Sequence, residues 1–160
     1  MGNLAAIESK FTFEMSHLLH WHEGQCSNLH GHTYVMYVEV ERFNYSLHDR
    51  IVLDFKDLKS IVEELIEPFD HALTLEGVET AYVDLPTKKV LLGFSPSAEN
   101  MAMLFATRVY SAVAGKLGKS AEFNIRVKLF ETQRNCAKTA YGVDYPYDEE
   151  TMKLLEAVNV

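Results

Sequence analysis

Strict alternation of apolar and polar positions predicts two of the strands directly. Residues 11–17 alternate around Phe11, Phe13 and Met15, and residues 123–129 alternate in the same way. A third strand is predicted over residues 32–41, because positions 34, 36, 38 and 40 are all apolar and fall on one face. A turn at residues 44–49 followed by the apolar run at 51–53 predicts a strand that returns beside it.

Helical periodicity replaces this alternation after Asp54. Apolar residues then recur three and four positions apart, which predicts an amphipathic helix that Pro68 ends. A second helix is predicted with Ser95 as its N-cap and Pro96 at its first position. A short helix is predicted over residues 148–158. Strands joined by hairpins, with helices grouped between them, indicate the α+β class.

The chain of 160 residues reads as a single domain, residues 1–160, without a linker that would divide it. Residues 78–93 match no clear pattern and are interpreted as an insertion, and residues 142–160 as a C-terminal extension. The net charge of 15 − 23 = −8, without a basic block, argues against nucleic acid as a partner. No apolar run approaches the roughly 18–20 residues that span a bilayer, so no membrane association is expected. Two cysteines and no secretory signal favour a cytoplasmic protein.

Histidines cluster in one short stretch: five of the seven lie between residues 17 and 32. His30 and His32 point to the same face of a strand, and His17 ends the preceding strand, within reach of an antiparallel neighbour. Gly31 lacks a Cβ that would crowd the site. Three imidazoles with an open fourth position are typical of a catalytic zinc site. The alternative is that the histidines are unrelated residues of the core or the surface.

Other candidate residues each allow more than one interpretation. Cys26 is a base or nucleophile beside a cation, a fourth zinc ligand, or a small buried residue. Asp70 and His71 form a proton-shuttling pair, or His71 stabilises the end of a helix. Glu131 ends an apolar strand and is either a site carboxylate or a solvated residue.

Six ordered motifs resemble those of the tetrahydropterin synthase family over residues 11 to about 141. They are Phe13-x-x-x-His17, Cys26-Ser27-Asn28-Leu29-His30-Gly31-His32, Val52-Leu53-Asp54-Phe55-x-x-Leu58-Lys59, Phe69-Asp70-His71-x-Leu73, Pro96-Ser97-x-Glu99-Asn100-x-Ala102 and Phe130-Glu131-Thr132. The family contains 6-pyruvoyl- and 6-carboxy-tetrahydropterin synthases, and the short spacing from Cys26 to His30 is similar to the carboxy type.

The resemblance implies a role for each matching residue. His17, His30 and His32 hold Zn²⁺, and Cys26 is the general base, with Asp70 and His71 as a second proton-transfer pair. Glu131 anchors the pterin, and a carboxylate can accept two parallel N–H bonds from such a ring. Ser97 and Glu99 are implied to position the substrate.

The resemblance also implies a fold and a reaction. The expected fold is the tunnelling fold (T-fold), a four-stranded antiparallel sheet with two helices on one face. The expected assembly is a homohexamer, a dimer of trimers whose sheets close into an oligomeric β-barrel with active sites between subunits. The expected reaction converts 7,8-dihydroneopterin triphosphate to 6-carboxy-5,6,7,8-tetrahydropterin, acetaldehyde and triphosphate, in queuosine (7-deazaguanine) biosynthesis.

Two positions depart from the carboxy type, because Leu18 and Asn28 stand where arginine is usual. A lyase that acts on a related pterin side chain, or one with the 6-pyruvoyl activity, is therefore the close alternative. The alternatives of other classes are a non-catalytic pterin-binding protein and a structural zinc protein closed by Cys26.

Overall fold

The computed structural model describes residues 2–77, 84–118 and 120–159. These residues form one seven-stranded sheet in the order β6-β5-β2-β1-β3-β4-β7. The elements are β1 (Asn3–His17), β2 (His30–Tyr45), α1 (Phe55–Ile66), β3 (Ala72–Glu76), β4 (Lys89–Leu92), α2 (Ala98–Leu117), β5 (Phe123–Phe130), β6 (Cys136–Gly142), α3 (Glu149–Glu156) and β7 (Val158–Asn159). The predicted α+β class is confirmed.

The strands β6, β5, β2 and β1 are the antiparallel part of the sheet. One face of this part is apolar and buried beneath the helices, because apolar residues recur at every second position over residues 11–15, 34–40 and 123–129. The other face is polar, with residues such as Glu8, Glu39, Arg126 and Lys128. β1 and β2 are longer than the predicted strands, and β1 begins eight residues earlier, at Asn3.

The expectation of a purely antiparallel, four-stranded sheet with two helices is wrong. β3 pairs with β1 in parallel, β4 pairs with β3 in parallel, and β7 adds an antiparallel edge. The first four residues of β3, Ala72 to Leu75, are all buried, so β3 carries no alternation for a periodicity argument to detect. β4 falls within the supposed insertion, of which residues 78–83 lie outside the described part of the chain. A third helix, α3, matches the helix predicted near the C-terminus.

The starts of the two long helices are set by capping side chains. Asp54 caps α1 by accepting from the backbone N–H of Lys56, as the change of periodicity there predicts. The N-cap of α2 is Ser97, which accepts from Asn100 N, so the prediction of Ser95 as the cap is wrong by two residues. Pro96 consequently precedes the helix, and its carbonyl oxygen is available to another partner.

The predicted return strand at residues 51–53 is also wrong. Val52 and Leu53 are buried as expected, but they lie in a bend that leads into α1. Arg50 has a φ of 69°, which turns the chain at this point. A run of three apolar residues indicates burial without specifying the backbone conformation. Among the described helices, none has both the length and the apolar character needed to cross a bilayer.

Candidate metal and active site

The three predicted metal ligands meet where β1 ends and β2 begins. His17 is the last residue of β1 and His30 the first of β2, and the two are direct partners in the antiparallel register. His32 lies two residues further along β2, so its side chain projects from the same face. One ring nitrogen from each histidine belongs to a group of atoms that all lie within 4.8 Å of one another. The predicted convergence of these residues is therefore observed.

Hydrogen bonds orient two of the imidazoles toward a shared centre. Nδ1 of His17 donates to the carbonyl oxygen of Pro96 at 2.7 Å, and Nδ1 of His30 donates to that of Asn28 at 2.7 Å. With Nδ1 occupied, each ring presents Nε2 to the centre, where the two Nε2 atoms are 3.2 Å apart. Such carbonyl partners are the usual outer contacts of metal-binding histidines.

His32 completes the ligand set and is the strongest indication of a missing partner. Its Nε2 is buried and has no hydrogen-bond partner within the described part of the chain. Burial lowers the pKa of His32, which favours the neutral imidazole that binds metals. An unpaired, buried ring nitrogen beside two oriented imidazoles fits a bound divalent cation.

Gly31 serves a different purpose from the one predicted. A Cβ at this position would lie 3.2 Å from Oγ of Ser16 and 3.3 Å from the carbonyl oxygen of Met15. Those atoms are on the side of the strand away from the imidazoles, because residues 30 and 32 alternate with residue 31. The glycine therefore relieves crowding between β1 and β2 and does not open the metal cluster.

Glu131, just past β5, lies at the edge of the histidine cluster. Its Oε1 is 3.2 Å from Nε2 of His17 and 3.5 Å from Nε2 of His32. The hydrogen bond with His17 lowers the pKa of Glu131 and outweighs the effect of burial, so the carboxylate is ionised at neutral pH. Because Nδ1 of His17 is committed to Pro96, the negative charge faces the Nε2 atoms. A positive charge there, either a proton or a metal cation, balances the carboxylate.

Tyr34 is the site residue that sequence reasoning missed. It is fully buried, and its hydroxyl donates to Oε1 of Glu131 at 3.3 Å and lies 3.4 Å from Nε2 of His17. Burial raises the pKa of Tyr34 far above its ordinary value, so the phenol stays protonated. The signal was its position: Tyr34 continues the period-two series of His30 and His32 on one face of β2.

Cys26 lies in a short loop that returns to the site. It is the middle residue of a 3₁₀ turn at Gln25–Ser27, and its carbonyl oxygen accepts from Leu19 N at 2.8 Å. The side chain is partly buried, and the thiol is free. Its sulfur is outside the group of three histidine nitrogens that could hold one ion. The loop is tied to the start of α2 by the indole N–H of Trp21, which donates to Oγ of Ser95 at 2.7 Å.

Asp70 and His71 form a contact pair on the turn before β3. Nδ1 of His71 is 3.0 Å from Oδ1 of Asp70, and the two side chains are 75% and 42% exposed. The backbone N–H of Glu14 donates to Oδ1 of Asp70 at 2.9 Å, which is the main reason why the pKa of Asp70 is lowered. His71 itself has a φ of 58°, a strained conformation for a residue other than glycine.

An open cavity of about 370 Å³ adjoins His71 where β1 ends and β2 begins. Glu14 and Ser16 contribute to it, and so does His32, so one of the three imidazoles borders the same cavity as His71. The cavity is lined by Glu14, Met15, Ser16, Gly31, His32, Thr33 and His71.

Ser97 and Glu99 stand at the first turn of α2. Ser97 Oγ accepts from Asn100 N at 3.3 Å, and Glu99 is exposed. Pro96, directly before Ser97, accepts from His17, so this turn adjoins the metal cluster. The structure therefore brings Glu131, Tyr34 and the start of α2 to the three histidines, whereas Asp70 and His71 contact each other and the backbone of Glu14.

Known proteins that are similar to this chain include tetrahydropterin synthases. The family model for 6-pyruvoyl tetrahydropterin synthase matches residues 6–141. A 6-carboxy-5,6,7,8-tetrahydropterin synthase of Haemophilus influenzae is 36% identical over 113 residues, which are 64% of this chain and 80% of that protein. The protein of the same name from Aquifex aeolicus is 32% identical over 124 residues, 71% of this chain and 75% of that one.

Solved structures share the fold at lower sequence identity. The 6-pyruvoyl tetrahydropterin synthase of Plasmodium falciparum superposes with a TM-score of 0.69 at 18% identity, covering 88% of this chain and 99% of that one. The synthase of Caenorhabditis elegans gives a TM-score of 0.60 at 19% identity, covering 89% and 97%. At these identities the likeness establishes a common architecture.

Proposed function

Because the chain belongs to the 6-pyruvoyl tetrahydropterin synthase family, we propose that it is a zinc-dependent lyase of the 6-carboxy type. The proposed reaction takes 7,8-dihydroneopterin triphosphate and water to 6-carboxy-5,6,7,8-tetrahydropterin, acetaldehyde and triphosphate. The observation that carries the proposal is the cluster of His17, His30 and His32 with Glu131 at its edge. The choice of the carboxy product is supported by the names of the relatives.

The residues of the cluster fit a zinc ion. His17, His30 and His32 would hold it through their Nε2 atoms, which matches the tris-imidazole set of catalytic zinc sites. A zinc ion bound there would polarise a hydroxyl of the substrate side chain and lower its pKa. The carbonyl oxygens of Pro96 and Asn28 hold two of the rings in place, so little reorganisation is needed on binding.

Glu131 is proposed to recognise the pterin ring. An ionised carboxylate accepts two parallel N–H bonds, one from the ring amide and one from the exocyclic amine. The lowered pKa of Glu131 keeps it in the accepting form. Its place at the edge of the histidine cluster would bring the side chain of a bound pterin to the metal ligands.

The proton-transfer groups are proposed to come from two copies of the chain. Cys26, on the loop beside Tyr34, would take a proton from the substrate side chain. Asp70 and His71 would serve the site of a neighbouring copy, because both side chains are largely exposed in their own chain and accessible to a second copy. Ser97 and Glu99, at the start of α2, are proposed to position the substrate.

The sheet edges support such an assembly. Within the described residues, β1 pairs with β3 only through Met15, Ser16 and His17, and Glu14 bonds to the turn before β3, so the edge of its first eleven residues is open. β6 pairs with β5 alone, which leaves a second open edge on the opposite side of the sheet. Edges of this length are usually covered in a stable protein. We propose that copies pair edge to edge into trimers and that two trimers form the hexamer.

Product identification tests the proposed reaction. Zinc-loaded protein incubated with 7,8-dihydroneopterin triphosphate should release acetaldehyde and 6-carboxy-5,6,7,8-tetrahydropterin, and chelated protein or Cys26→Ala should not. The 6-pyruvoyl compound as the main product would assign the sister activity. Tight pterin binding without turnover would instead support a non-catalytic binding protein.

A further inference from the structure

Tyr34 connects the metal cluster to the carboxylate that is proposed to hold the pterin. Its hydroxyl is 3.3 Å from Oε1 of Glu131 and 3.4 Å from Nε2 of His17. The residue is 0% exposed, so water does not compete for these contacts.

The ring of Tyr34 is held from two sides. Phe13 stacks on it with ring centroids 5.3 Å apart and an interplanar angle of 11°. His32 meets it at an angle of 76° with centroids 5.5 Å apart. A phenol packed in this way has a single position for its hydroxyl, which lies at the end of the Glu131 side chain.

The available protons determine the direction of the hydrogen bond. A phenol has one proton to donate, and an ionised carboxylate only accepts. Nδ1 of His17 already donates to the carbonyl oxygen of Pro96, and Nε2 of His17 is the atom proposed to bind the metal, so neither nitrogen is left to accept from Tyr34. The proton of Tyr34 therefore goes to Oε1 of Glu131. This bond leaves Oε2 and the remaining lone pairs of Oε1 for another partner.

We propose that Tyr34 is a positioning residue, which orients the Glu131 carboxylate toward the N–H edge of a pterin and holds it against the metal cluster. This inference rests on the proposed function, in which Glu131 binds the ring. Tyr34 acts through Glu131 and does not itself touch the pterin. Its removal should weaken pterin binding while the three zinc ligands stay in place.

The test compares two tyrosines of the same strand. Tyr34→Phe removes only the hydroxyl, and Tyr37→Phe is the matched control, because Tyr37 lies on the opposite face of β2 beside Phe130. Titration with 7,8-dihydroneopterin should show binding about tenfold weaker for Tyr34→Phe, the loss expected for one hydrogen bond to a charged group. Tyr37→Phe should bind like the wild type. Zinc affinity, measured by competition with a chromogenic chelator, should be the same in all three proteins.

A double-mutant cycle separates positioning from a general structural role. If Tyr34 acts through Glu131, then Tyr34→Phe should have no further effect on pterin binding in a Glu131→Gln background. An equal, tenfold loss in that background would overturn the inference. So would unchanged binding by Tyr34→Phe beside weakened binding by Glu131→Gln, although the proposed function would then stand. Wild-type binding by Glu131→Gln would remove the proposed role of Glu131 and this inference together.

A second variant covers the case in which Tyr34→Phe does not fold. Glu131→Asp keeps the charge and the phenol but withdraws the carboxylate from the hydroxyl. It should show the same loss of pterin binding with zinc affinity retained. Binding as tight as that of the wild type would show that the contact between Tyr34 and Glu131 has no role in recognition.

Discussion

The two groups of candidate catalytic residues are held in opposite ways. The three histidines lie on the regular backbone of β1 and β2, and His17 is 1% exposed. Asp70 and His71 lie on a turn before β3, and the side chain of His71 is 75% exposed. Bonds from side chains to carbonyl groups orient the first group, whereas bonds with the backbone of Glu14 hold the second.

The proposed assembly would use this difference, with the histidine cluster completed within one chain and Asp70 and His71 serving a neighbouring copy. The histidine cluster has its ligands and their outer contacts within one chain. The pair at residues 70 and 71 is held by two hydrogen bonds with the backbone of Glu14, and His71 keeps a strained conformation although its side chain is exposed. Strain of this kind usually persists at functional sites. A site shared between copies accounts for both arrangements.

The largest expected effect is on the histidine cluster formed by His17, His30 and His32. His30→Ala removes a zinc ligand and should lower zinc affinity by more than about a hundredfold, beyond the loss seen for outer contacts of such ligands. Chelator competition measures this change. His48→Ala, at an exposed turn outside the cluster, is the control and should bind zinc normally. Equal affinity in the two variants would refute the proposed ligand set.

Mixing two inactive variants tests whether the histidine cluster of one copy works together with His71 of another copy. His30→Ala lacks a metal ligand and His71→Ala lacks the exposed histidine, so each alone should be inactive. Co-refolded oligomers should recover roughly a quarter of the wild-type activity. In a random mixture half of the sites have an intact histidine cluster, and half of those sites have a neighbour that supplies an intact His71. If both residues act within one chain, no activity returns.

Removal of the metal from the histidine cluster should destabilise the folded protein more than a change at the exposed His71 does. A ligand at a hundred times its Kd adds about 2.7 kcal/mol to the free energy of unfolding, which corresponds to a rise in Tm of about 5–10 °C for a chain of this size. Wild-type protein should therefore melt lower after chelation, and His71→Ala should show the same decrease. A melting temperature that does not change on chelation would contradict the buried metal site.

The smallest expected effect is the pH dependence contributed by Asp70. Its pKa is lowered in the folded chain, so its ionised form stabilises the fold above the unfolded pKa of about 4. This contribution is lost as the pH falls through the lowered value. Asp70→Asn should lack that acid-induced decrease, as seen in melting temperatures between pH 2 and 6, values that span the ordinary carboxyl range. Parallel curves for the two proteins would show that the contact with Glu14 has no energetic effect.

Much of the histidine cluster and of the strands that carry it was predictable from the sequence. The period-two spacing of His30 and His32 determines a common face, and the alternation in residues 11–17 places His17 on the adjoining strand. The same periodicity predicted the antiparallel core, and Asp54 marked the start of α1. Tyr34 was available to the same argument, since it continues the series of the two histidines.

Other features depended on contacts between distant segments. β3 and β4 are short and largely buried, so their pairing with β1 is visible only once the sheet is assembled. The cap of α2 shifts to Ser97, and in that arrangement the carbonyl oxygen of Pro96 accepts from His17, 79 residues away. Local sequence propensities cannot predict a hydrogen-bond partner that lies so far away along the chain.

The sequence by itself therefore determined which residue types carry the chemistry and which strand face presents them, because side-chain alternation is a local property of an extended chain. Only the tertiary structure decided that Glu131 reaches the histidines and that Asp70 and His71 are held at the backbone of Glu14. The physical reason is that these relations depend on strand order and register. Both are selected by burying the whole apolar face at once.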